Sequence, residues 1–166
     1  MSGVENFAGM DKHALRGELE ELYAEYVGCL NDERFEEWPD FFIEQCLYKI
    51  VPRENFERGL PLATWLSESK GYLRDRITGI RRTSVYGPRY IRRSVSAIRI
   101  LGWKNGLLDA RASYAALETL PDQLTRLFNV GEYHDRIAVE AGRLKFAQKI
   151  CVFDSVLVPN SLIYPL

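Results

Sequence analysis

The sequence predicts an α+β fold in which helices pack on one face of a single curved antiparallel sheet. Three observations support this class: helical periodicity in the first third of the chain, four long β-prone runs in the second half, and turn signals between those runs. Strands of this length twist and bend, so a sheet wrapped around a long helix is expected to form a cone with an open mouth. We expect one domain over residues 1–166, with about residues 1–10 frayed.

The first third of the chain predicts two antiparallel helices joined by a tight turn. Asp11 is positioned to cap the first helix, whose apolar residues recur at helical spacing. These residues are Leu15, Leu19, Leu22, Tyr23, Tyr26, Val27 and Leu30. A short second helix is predicted from about Glu33, and Pro39 is expected to kink or stop it because proline has no N–H to donate. The apolar side of this helix consists of Phe35, Trp38 and Phe42.

A strand and a third helix are predicted next. Residues 47–51 are apolar and β-branched toward their end, which indicates a strand that leaves into an irregular loop at residues 52–55. Ser67 is then expected to cap the third helix. The apolar face of that helix is predicted to contain Leu66, Leu73, Ile77 and Ile80.

The second half of the chain predicts a four-stranded antiparallel meander. Its strands are predicted at residues 92–103, 108–118, 124–139 and 143–158. Asn105-Gly106 is a strong hairpin signal because both central residues of a type I′ turn need positive φ. Gly131 indicates a bulge in the third of these strands, and residues 140–142 indicate a turn.

Composition excludes several classes of function. No run of apolar residues exceeds four, so we expect no transmembrane segment, no signal peptide and a cytoplasmic protein. The three cysteines, Cys29, Cys46 and Cys151, lie far apart and are expected to be reduced thiols. The two histidines, His13 and His134, do not adjoin a cysteine, so we expect no Rieske cluster, catalytic iron or structural zinc in this chain. Phosphate-loop, dinucleotide-binding, nucleophile-elbow and zinc-protease motifs are absent.

Charge is unevenly distributed along the chain, although the net charge is only −1. Residues 18–44 contain ten acidic side chains and the single base Arg34, whereas residues 74–99 contain eight arginines and the single acid Asp75. A nucleic-acid interface would need clustered cations, but the low overall charge argues against it and we expect no such partner. Two interpretations stay open: ordinary surface ion pairs, and subunit contacts, where arginine is favoured.

Several polar residues on the predicted strands are candidates for acid–base chemistry at the mouth of the cone. They are Tyr48, Asp109, Tyr114, Glu132, Tyr133, His134 and Asp135. Side chains alternate along a strand, so Glu132 and His134 share one face while Tyr133 and Asp135 share the other. The Glu132 and His134 pair is the strongest candidate, although such a charged strand also fits a solvated outer face with a structural histidine.

Two apolar features of the sequence are expected to be buried. Cys151 lies within an apolar run, which predicts a buried and unreactive thiol. The apolar segment 162–166 must pack either on its own sheet or on another subunit. We expect this segment and Arg92 to contribute to subunit contacts, so that their loss weakens assembly more than it unfolds the chain.

The order and spacing of several motifs resemble the small, or β, subunit of Rieske non-haem iron aromatic-ring-hydroxylating oxygenases. The resemblance extends from about Leu15 to Leu166. Its most specific stretches are LNDERFEEW at residues 30–38 and YKIVPREN at residues 48–55. Further matches are RYIRRSV at residues 89–95, Gly131 with Asp135, Phe153-Asp154 and Leu162.

The resemblance implies a cone-like fold similar to nuclear transport factor 2, ketosteroid isomerase and scytalone dehydratase. It implies a chain without catalytic, cofactor-binding or metal-binding residues. A partner α subunit would carry a Rieske [2Fe–2S] cluster and a mononuclear iron, in an assembly of three α with three β subunits. A reductase, in some members through a ferredoxin, would supply electrons for hydroxylation of an aromatic ring, with salicylate or a related benzoate as the expected substrate class.

Two residues depart from the family pattern. Pro39 interrupts a stretch that is usually helical, and Asn31 stands where an aspartate is common. The competing hypothesis is a stand-alone isomerase or dehydratase that uses Glu132, His134 or a tyrosine in the cone as acid and base.

Overall fold

The structure is a computed structural model that describes residues 3–82, 87–155 and 162–166. Helices come first in the chain and the long strands of the meander follow, as the sequence predicts. The helices are α1 (Gly3–Ala8), α2 (Lys12–Asn31), α3 (Arg53–Glu57) and α4 (Lys70–Arg82), with a short 3₁₀ helix at Trp38–Phe41. The strands are β1 (Phe42–Pro52), β2 (Trp65–Ser67), β3 (Tyr90–Lys104), β4 (Leu107–Thr119), β5 (Arg126–Glu140) and β6 (Arg143–Phe153).

The six described strands form one sheet in the order β2-β1-β6-β5-β4-β3. Strands β3 to β6 form the predicted antiparallel meander. Strand β1 extends it by pairing in parallel with β6, from Phe42 opposite Phe146 to Pro52 opposite Phe153. The predicted class, an α+β fold built on a curved sheet, is confirmed; the parallel pair is the feature that the sequence pattern does not reveal.

Helix α2 packs on the inner face of the sheet through the predicted apolar stripe. Asp11 caps the helix as predicted, because its Oδ2 accepts a hydrogen bond from the His13 N–H at 3.0 Å. The buried side of α2 contacts β3 and β6, and the side chains of Leu19 and Tyr26 have no solvent exposure. Burial of this stripe provides the apolar contact between helix and sheet. Below, "the cone" denotes the space between α2 and the inner face of the sheet.

The N-terminal region departs from prediction at two places. About residues 1–10 are predicted to be frayed, but Gly3–Ala8 form α1, and the Phe7 side chain is buried in the core. The predicted helix from Glu33 is replaced by turns and the 3₁₀ helix, in whose first turn Pro39 lies. The first N–H groups of a helix have no internal partner, so Pro39 is tolerated there and begins the element instead of stopping it. The predicted apolar residues of this region are buried: Phe35, Trp38 and Phe42.

The segment between α2 and α4 is more regular than predicted. The strand predicted at residues 47–51 is the longer β1, and the loop predicted at residues 52–55 contains the start of α3. Pro52 immediately precedes this short helix with an extended backbone, which suits a residue that fixes φ and lacks an N–H.

The predicted cap of the third helix is wrong. Ser67 ends β2, and the Ser69 hydroxyl instead accepts a hydrogen bond from the Tyr72 N–H at 3.3 Å, at the start of α4. Leu66 is therefore exposed, because it lies on β2 and not on the helix. The helix buries Leu73 and Ile77 as predicted, and Ile80 is partly buried.

Two tight turns set the register of the meander. Asn105 and Gly106 have φ values of 52° and 75°, which confirms the predicted type of hairpin turn between β3 and β4. Ala141 and Gly142 repeat this geometry between β5 and β6, with φ values of 50° and 74°. Both residues of each turn have a left-handed backbone, which the glycine at the second position adopts without steric cost.

Gly131 does not form a bulge, but the close packing of β5 against β6 requires a residue without a side chain at this position. Strand β5 keeps its register with β4 through this residue, and the register shifts elsewhere, between Arg136 and Ile137 for example. A Cβ atom at Gly131 would lie 1.9 Å from the main-chain oxygen of Val152, so β5 and β6 approach too closely there for any side chain.

The start of β5 and the end of β6 also differ from prediction. Strand β5 begins at Arg126, and Leu124 lies before it as a strongly exposed residue. Strand β6 ends at Phe153, and the predicted strand residues 156–158 lie outside the described residues. Among the helices that the structure describes, none combines the length and apolar character of a membrane span.

Candidate functional site: the interior of the cone

The predicted acid–base pair lies on the outer face of the sheet, not in the cone. His134 Nε2 is 2.9 Å from Glu132 Oε2, so the two residues do form a pair. Glu132 also accepts a hydrogen bond from Arg99 at 2.8 Å, and the Phe56 ring of α3 packs edge-on against the imidazole at 4.6 Å. The pair is therefore part of a surface ion-pair cluster that a short helix partly covers.

Burial and the nearby Arg111 guanidinium lower the pKa of His134 below its ordinary value of 6.5. The imidazole is consequently neutral at pH 7. Its Nδ1 is buried and has no hydrogen-bond partner among the described residues. These features fit a structural histidine held by Glu132 and Phe56.

The opposite face of β5 carries the buried charge of the cone. Asp135 is 1% exposed, and its Oδ2 accepts hydrogen bonds from the Tyr23 hydroxyl at 2.6 Å and from Lys149 Nζ at 3.0 Å. Tyr23 comes from α2 and Lys149 from β6, so the cluster joins the helix to two strands of the sheet. The predicted alternation of faces along β5 is confirmed, with Tyr133 and Asp135 pointing inward.

Aromatic rings surround the Lys149 ammonium. Its Nζ lies 3.5 Å from the centre of the Tyr133 ring and 4.4 Å from that of Phe146. The rings of Tyr26 and Tyr23 follow at 4.6 and 5.0 Å. Burial lowers the pKa of Lys149 and raises that of Asp135, while their mutual attraction opposes both shifts. Cation–π contacts and the ion pair together compensate for removing this charge from water.

The remaining predicted candidates are divided between the two faces. Tyr114 lies inside, stacked on Tyr133 at 4.4 Å, and its hydroxyl donates to Asn129 Oδ1 at 2.7 Å. Asp109 lies on the outer face, 3.3 Å from Arg136 Nε. Desolvation raises the pKa of both inner tyrosines well above the ordinary value of 10.0, so neither hydroxyl ionises near neutral pH.

Segment 162–166 covers one end of the cone. The Leu166 side chain has no solvent exposure, and the main-chain oxygen of Leu166 accepts hydrogen bonds from the hydroxyls of Tyr26 at 2.7 Å and Tyr48 at 3.2 Å. The Leu166 N–H donates to the Tyr48 hydroxyl at 2.8 Å. Of the two alternatives for this segment, the structure supports packing on its own chain. The expected role of the segment in subunit contact stays a prediction.

Cys151 lies beneath this segment. Its Sγ is 3.8 Å from the Leu166 main-chain oxygen, and the residue is fully buried, as predicted. Burial raises the pKa of the thiol to about 12, so it stays protonated. Cys29 and Cys46 are also free and buried.

The arginine-rich stretch does not form a continuous basic surface. Arg93 is buried, whereas Arg81 pairs with Glu36 at 2.7 Å and Arg89 pairs with Glu118 at 2.7 Å. Intramolecular pairs thus account for part of this stretch. Arg92 is exposed on the outer face of the sheet.

Packed side chains surround Asp135 and Lys149 in the interior of the cone. An open groove of about 370 Å³ enters between α2 and β3 and reaches Tyr23, and two further grooves lie on the described surface; none of the three is lined by Asp135 or Lys149. In the described part of the chain, His, Cys, Asp and Glu side chains do not form a group of three that could hold a metal ion.

Sequence reasoning missed the buried charges of Lys149 and Arg93 and the hydrogen bond from Tyr23 to Asp135. Lysine and arginine are rarely buried, so an exposed side chain is expected both for Lys149, on an otherwise apolar strand, and for Arg93, in an arginine-rich stretch. The one available signal is the alternation along β6, which places Lys149 on the same face as the buried Cys151.

A sequence profile described as "Ring hydroxylating beta subunit" matches residues 27–160. The chain belongs to this family. It is 29% identical, over 149 residues, to the small subunit of anthranilate 1,2-dioxygenase from Burkholderia cepacia, an alignment covering 90% of this chain and 92% of the relative.

Solved structures agree with this assignment. The β subunit of a candidate aromatic-ring-hydroxylating dioxygenase from Novosphingobium aromaticivorans has a TM-score of 0.83 and 31% identity, covering 92% of this chain and 96% of that one. A candidate scytalone dehydratase from the same organism shares the fold, with a TM-score of 0.65 and 16% identity over 84% of each chain. The ring-hydroxylating β subunit therefore shares its cone-like fold with proteins of other activities, and the stand-alone isomerase or dehydratase hypothesis is not favoured.

Proposed function

We propose that this β subunit is the non-catalytic, structural small subunit of an aromatic-ring-hydroxylating oxygenase and that it stabilises iron-bearing α subunits. The observation that carries the proposal is the filled cone. The Lys149 ammonium donates to Asp135 Oδ2 and lies against the Tyr133 ring, and segment 162–166 covers the end of the cone beside them; the Tyr133 hydroxyl and Asp135 Oδ1 are buried without a hydrogen-bond partner among the described residues. A cavity that is occupied in this way favours a scaffold over an acid–base enzyme.

The proposal assigns the redox groups to the partner. The Rieske [2Fe–2S] cluster and the mononuclear iron need cysteine, histidine and carboxylate ligands in close groups. The described residues of this chain do not offer such a group, so they do not fit either centre. Three α with three β subunits, served by a reductase and in some systems a ferredoxin, complete the proposed enzyme, which we place in the cytoplasm.

The substrate class is proposed to be an aromatic carboxylate. The named relative from Burkholderia cepacia acts on anthranilate, a benzoate with one further ring substituent. Salicylate and related benzoates share this chemistry, which supports the expectation drawn from the sequence.

An exposed apolar patch on the outer face of the sheet is the proposed docking surface for the α subunit. Arg92 on β3 lies opposite Leu117 on β4, and Leu117 lies opposite Leu127 on β5. Leu127 is 59% exposed, and Tyr90, two residues before Arg92 on the same face, is 78% exposed. Tyrosine and arginine are enriched at protein interfaces, and an exposed apolar cluster of this kind marks an interaction site.

Co-expression with the matching α subunit tests the proposal. The wild-type β subunit is expected to co-purify with α, whereas Leu127→Glu and Arg92→Glu should abolish or strongly weaken recovery of the complex. The melting temperature of the isolated variants should stay at the wild-type value, because both side chains are exposed.

Leu62→Glu is the matched control, since Leu62 is an exposed leucine outside the patch. It should co-purify like the wild-type chain. A wild-type chain that never co-purifies with α would overturn the structural role, and Leu127→Glu with undiminished recovery would refute this docking surface.

A further inference from the structure

Arg93 is a buried cation without a carboxylate partner among the described residues. It is 3% exposed, and its guanidinium donates to the main-chain oxygens of Leu30 at 3.2 Å, Ile91 at 3.3 Å and Pro165. An isolated buried charge is costly unless its donors are satisfied. The Pro165 oxygen accepts two of these hydrogen bonds, from Nε at 2.9 Å and from Nη2 at 2.5 Å.

Other buried donors converge on the next residue. The hydroxyls of Tyr26 and Tyr48, neither of which is exposed, both donate to the main-chain oxygen of Leu166. Trp38 Nε1 in turn donates to the Tyr26 hydroxyl at 3.3 Å and so holds it in place. One guanidinium and two phenols thus bind the main-chain oxygens of two consecutive residues, Pro165 and Leu166.

The walls of this site are aromatic. The Trp38 ring lies edge-on to Tyr48 at 5.0 Å, and the Phe35 ring contacts Tyr164 at 4.9 Å. The Leu166 side chain is fully enclosed. Apolar walls with a few convergent donors are the chemistry of a binding site for an apolar peptide.

The segment that occupies the site belongs to no helix or strand. Residues 162–166 make no described strand pairing, and side chains from α2, β1 and β3 hold them in place. The contacts are therefore those of a ligand in a pocket, not those of a strand in a sheet.

We propose that the mouth of the cone is a peptide-binding site, formed by Tyr26, Tyr48 and Arg93, whose intramolecular ligand is segment 162–166. The site recognises an apolar segment that carries a Pro-Leu pair, and it binds this segment in trans when the chain's own copy is removed. The proposal is independent of the structural role in the oxygenase, because it concerns a site within the isolated chain.

Cys151 provides a reporter for occupancy of this site. Its thiol lies 3.8 Å from the Leu166 oxygen and 3.9 Å from the Tyr48 hydroxyl, so withdrawal of the segment exposes it. Cys29 and Cys46 are buried, the Cys29 thiol donates a hydrogen bond to the Arg34 main-chain oxygen and not to the segment, and both report on the rest of the fold.

The experiment measures the rate of maleimide labelling at each cysteine by mass spectrometry, in the full chain and in a chain lacking residues 162–166. Removal should accelerate labelling of Cys151 by about tenfold or more, as expected for selective local opening, and leave Cys29 and Cys46 protected. The peptide Leu-Ile-Tyr-Pro-Leu should restore protection. The same peptide with aspartate in place of the last leucine should not, because a charged side chain would have to replace the fully enclosed Leu166 side chain.

Protection of Cys151 that survives removal of the segment, or that the peptide fails to restore, would overturn the proposal. If all three cysteines become reactive, the shortened chain has unfolded, and the full-length Leu166→Asp variant decides the question. Selective labelling of Cys151 in that variant, reversed by the peptide, supports the site. Equal labelling of all three cysteines there would show that the segment is inseparable from the core and would also overturn it.

Discussion

The side-chain amide of Asn31 pairs with both main-chain groups of Arg93. Its Oδ1 accepts from the Arg93 N–H at 2.8 Å, and its Nδ2 donates to the Arg93 carbonyl at 3.0 Å. Arg93 lies on β3, the edge strand of the sheet, so the last residue of α2 completes the hydrogen bonding of that edge as a further strand would. Asn31, a departure from the family pattern, thus has a direct structural use.

Asn31→Asp is expected to destabilise the protein by about 1–3 kcal/mol, because a carboxylate accepts but cannot donate and leaves the Arg93 carbonyl facing negative charge. Urea denaturation at pH 7 measures this change. Asp32→Asn, at the neighbouring exposed position, is the control and should stay within about 0.5 kcal/mol of wild type. Equal stabilities for Asn31→Asp and wild type would contradict the pairing.

The Asp135 and Lys149 pair should show strong non-additivity. Asp135→Leu leaves a buried ammonium without its counter-ion and is expected to cost about 3–5 kcal/mol. The double variant Asp135→Leu, Lys149→Met removes both charges and should recover much of that loss. Urea denaturation of these two variants and of Lys149→Met checks this cycle. A double variant whose loss of stability equals the sum of the losses in the two single variants would argue against a coupled pair.

His134 should make stability depend on pH in a defined window. Its pKa is lowered in the folded chain, so below the ordinary value of 6.5 the unfolded chain binds the proton more readily than the folded one. The free energy of unfolding is therefore expected to fall as pH decreases from about 6.5, until the folded-state pKa is reached. His134→Gln should flatten this part of the profile. Superimposable profiles for His134→Gln and wild type would refute the assignment.

Gly131→Ala tests the close approach of β5 and β6. The new methyl group would meet the Val152 main-chain oxygen, which cannot move without breaking the strand pairing, so a loss of about 3 kcal/mol is expected. Gly17→Ala on the exposed face of α2 has no neighbour within 4 Å and should stabilise the chain by about 0.5–1 kcal/mol. Thermal unfolding of the two variants measures both changes in stability, and a Gly131→Ala variant as stable as the wild type would contradict the close approach of the two strands.

Local patterns made the helix α2 and the meander predictable. The cap at Asp11, the stripe through Leu19 and Tyr26, and the Asn105-Gly106 turn each act within a few residues of sequence. The parallel pairing of β1 with β6 joins segments far apart in the chain and leaves no local signal.

The candidate site was predictable only in part. Alternation along β5 predicted that Asp135 and His134 lie on opposite faces of the sheet, but it could not say which face lines the cone. That outcome depends on Lys149 and Arg93. Lysine and arginine are usually exposed, but these two side chains are buried because a carboxylate, aromatic rings and main-chain oxygens from elements distant in sequence surround them.

The most direct test of the structural role is turnover by the assembled oxygenase. In a complex reconstituted with its α subunit, reductase and any ferredoxin, β subunits carrying Glu132→Gln, His134→Ala or Tyr133→Phe should support a kcat per α subunit within about twofold of wild type. A general acid or base contributes about 10²–10⁴-fold to a rate. A loss of that size, in a complex whose size and iron content are unchanged, would contradict the account and place chemistry in this chain.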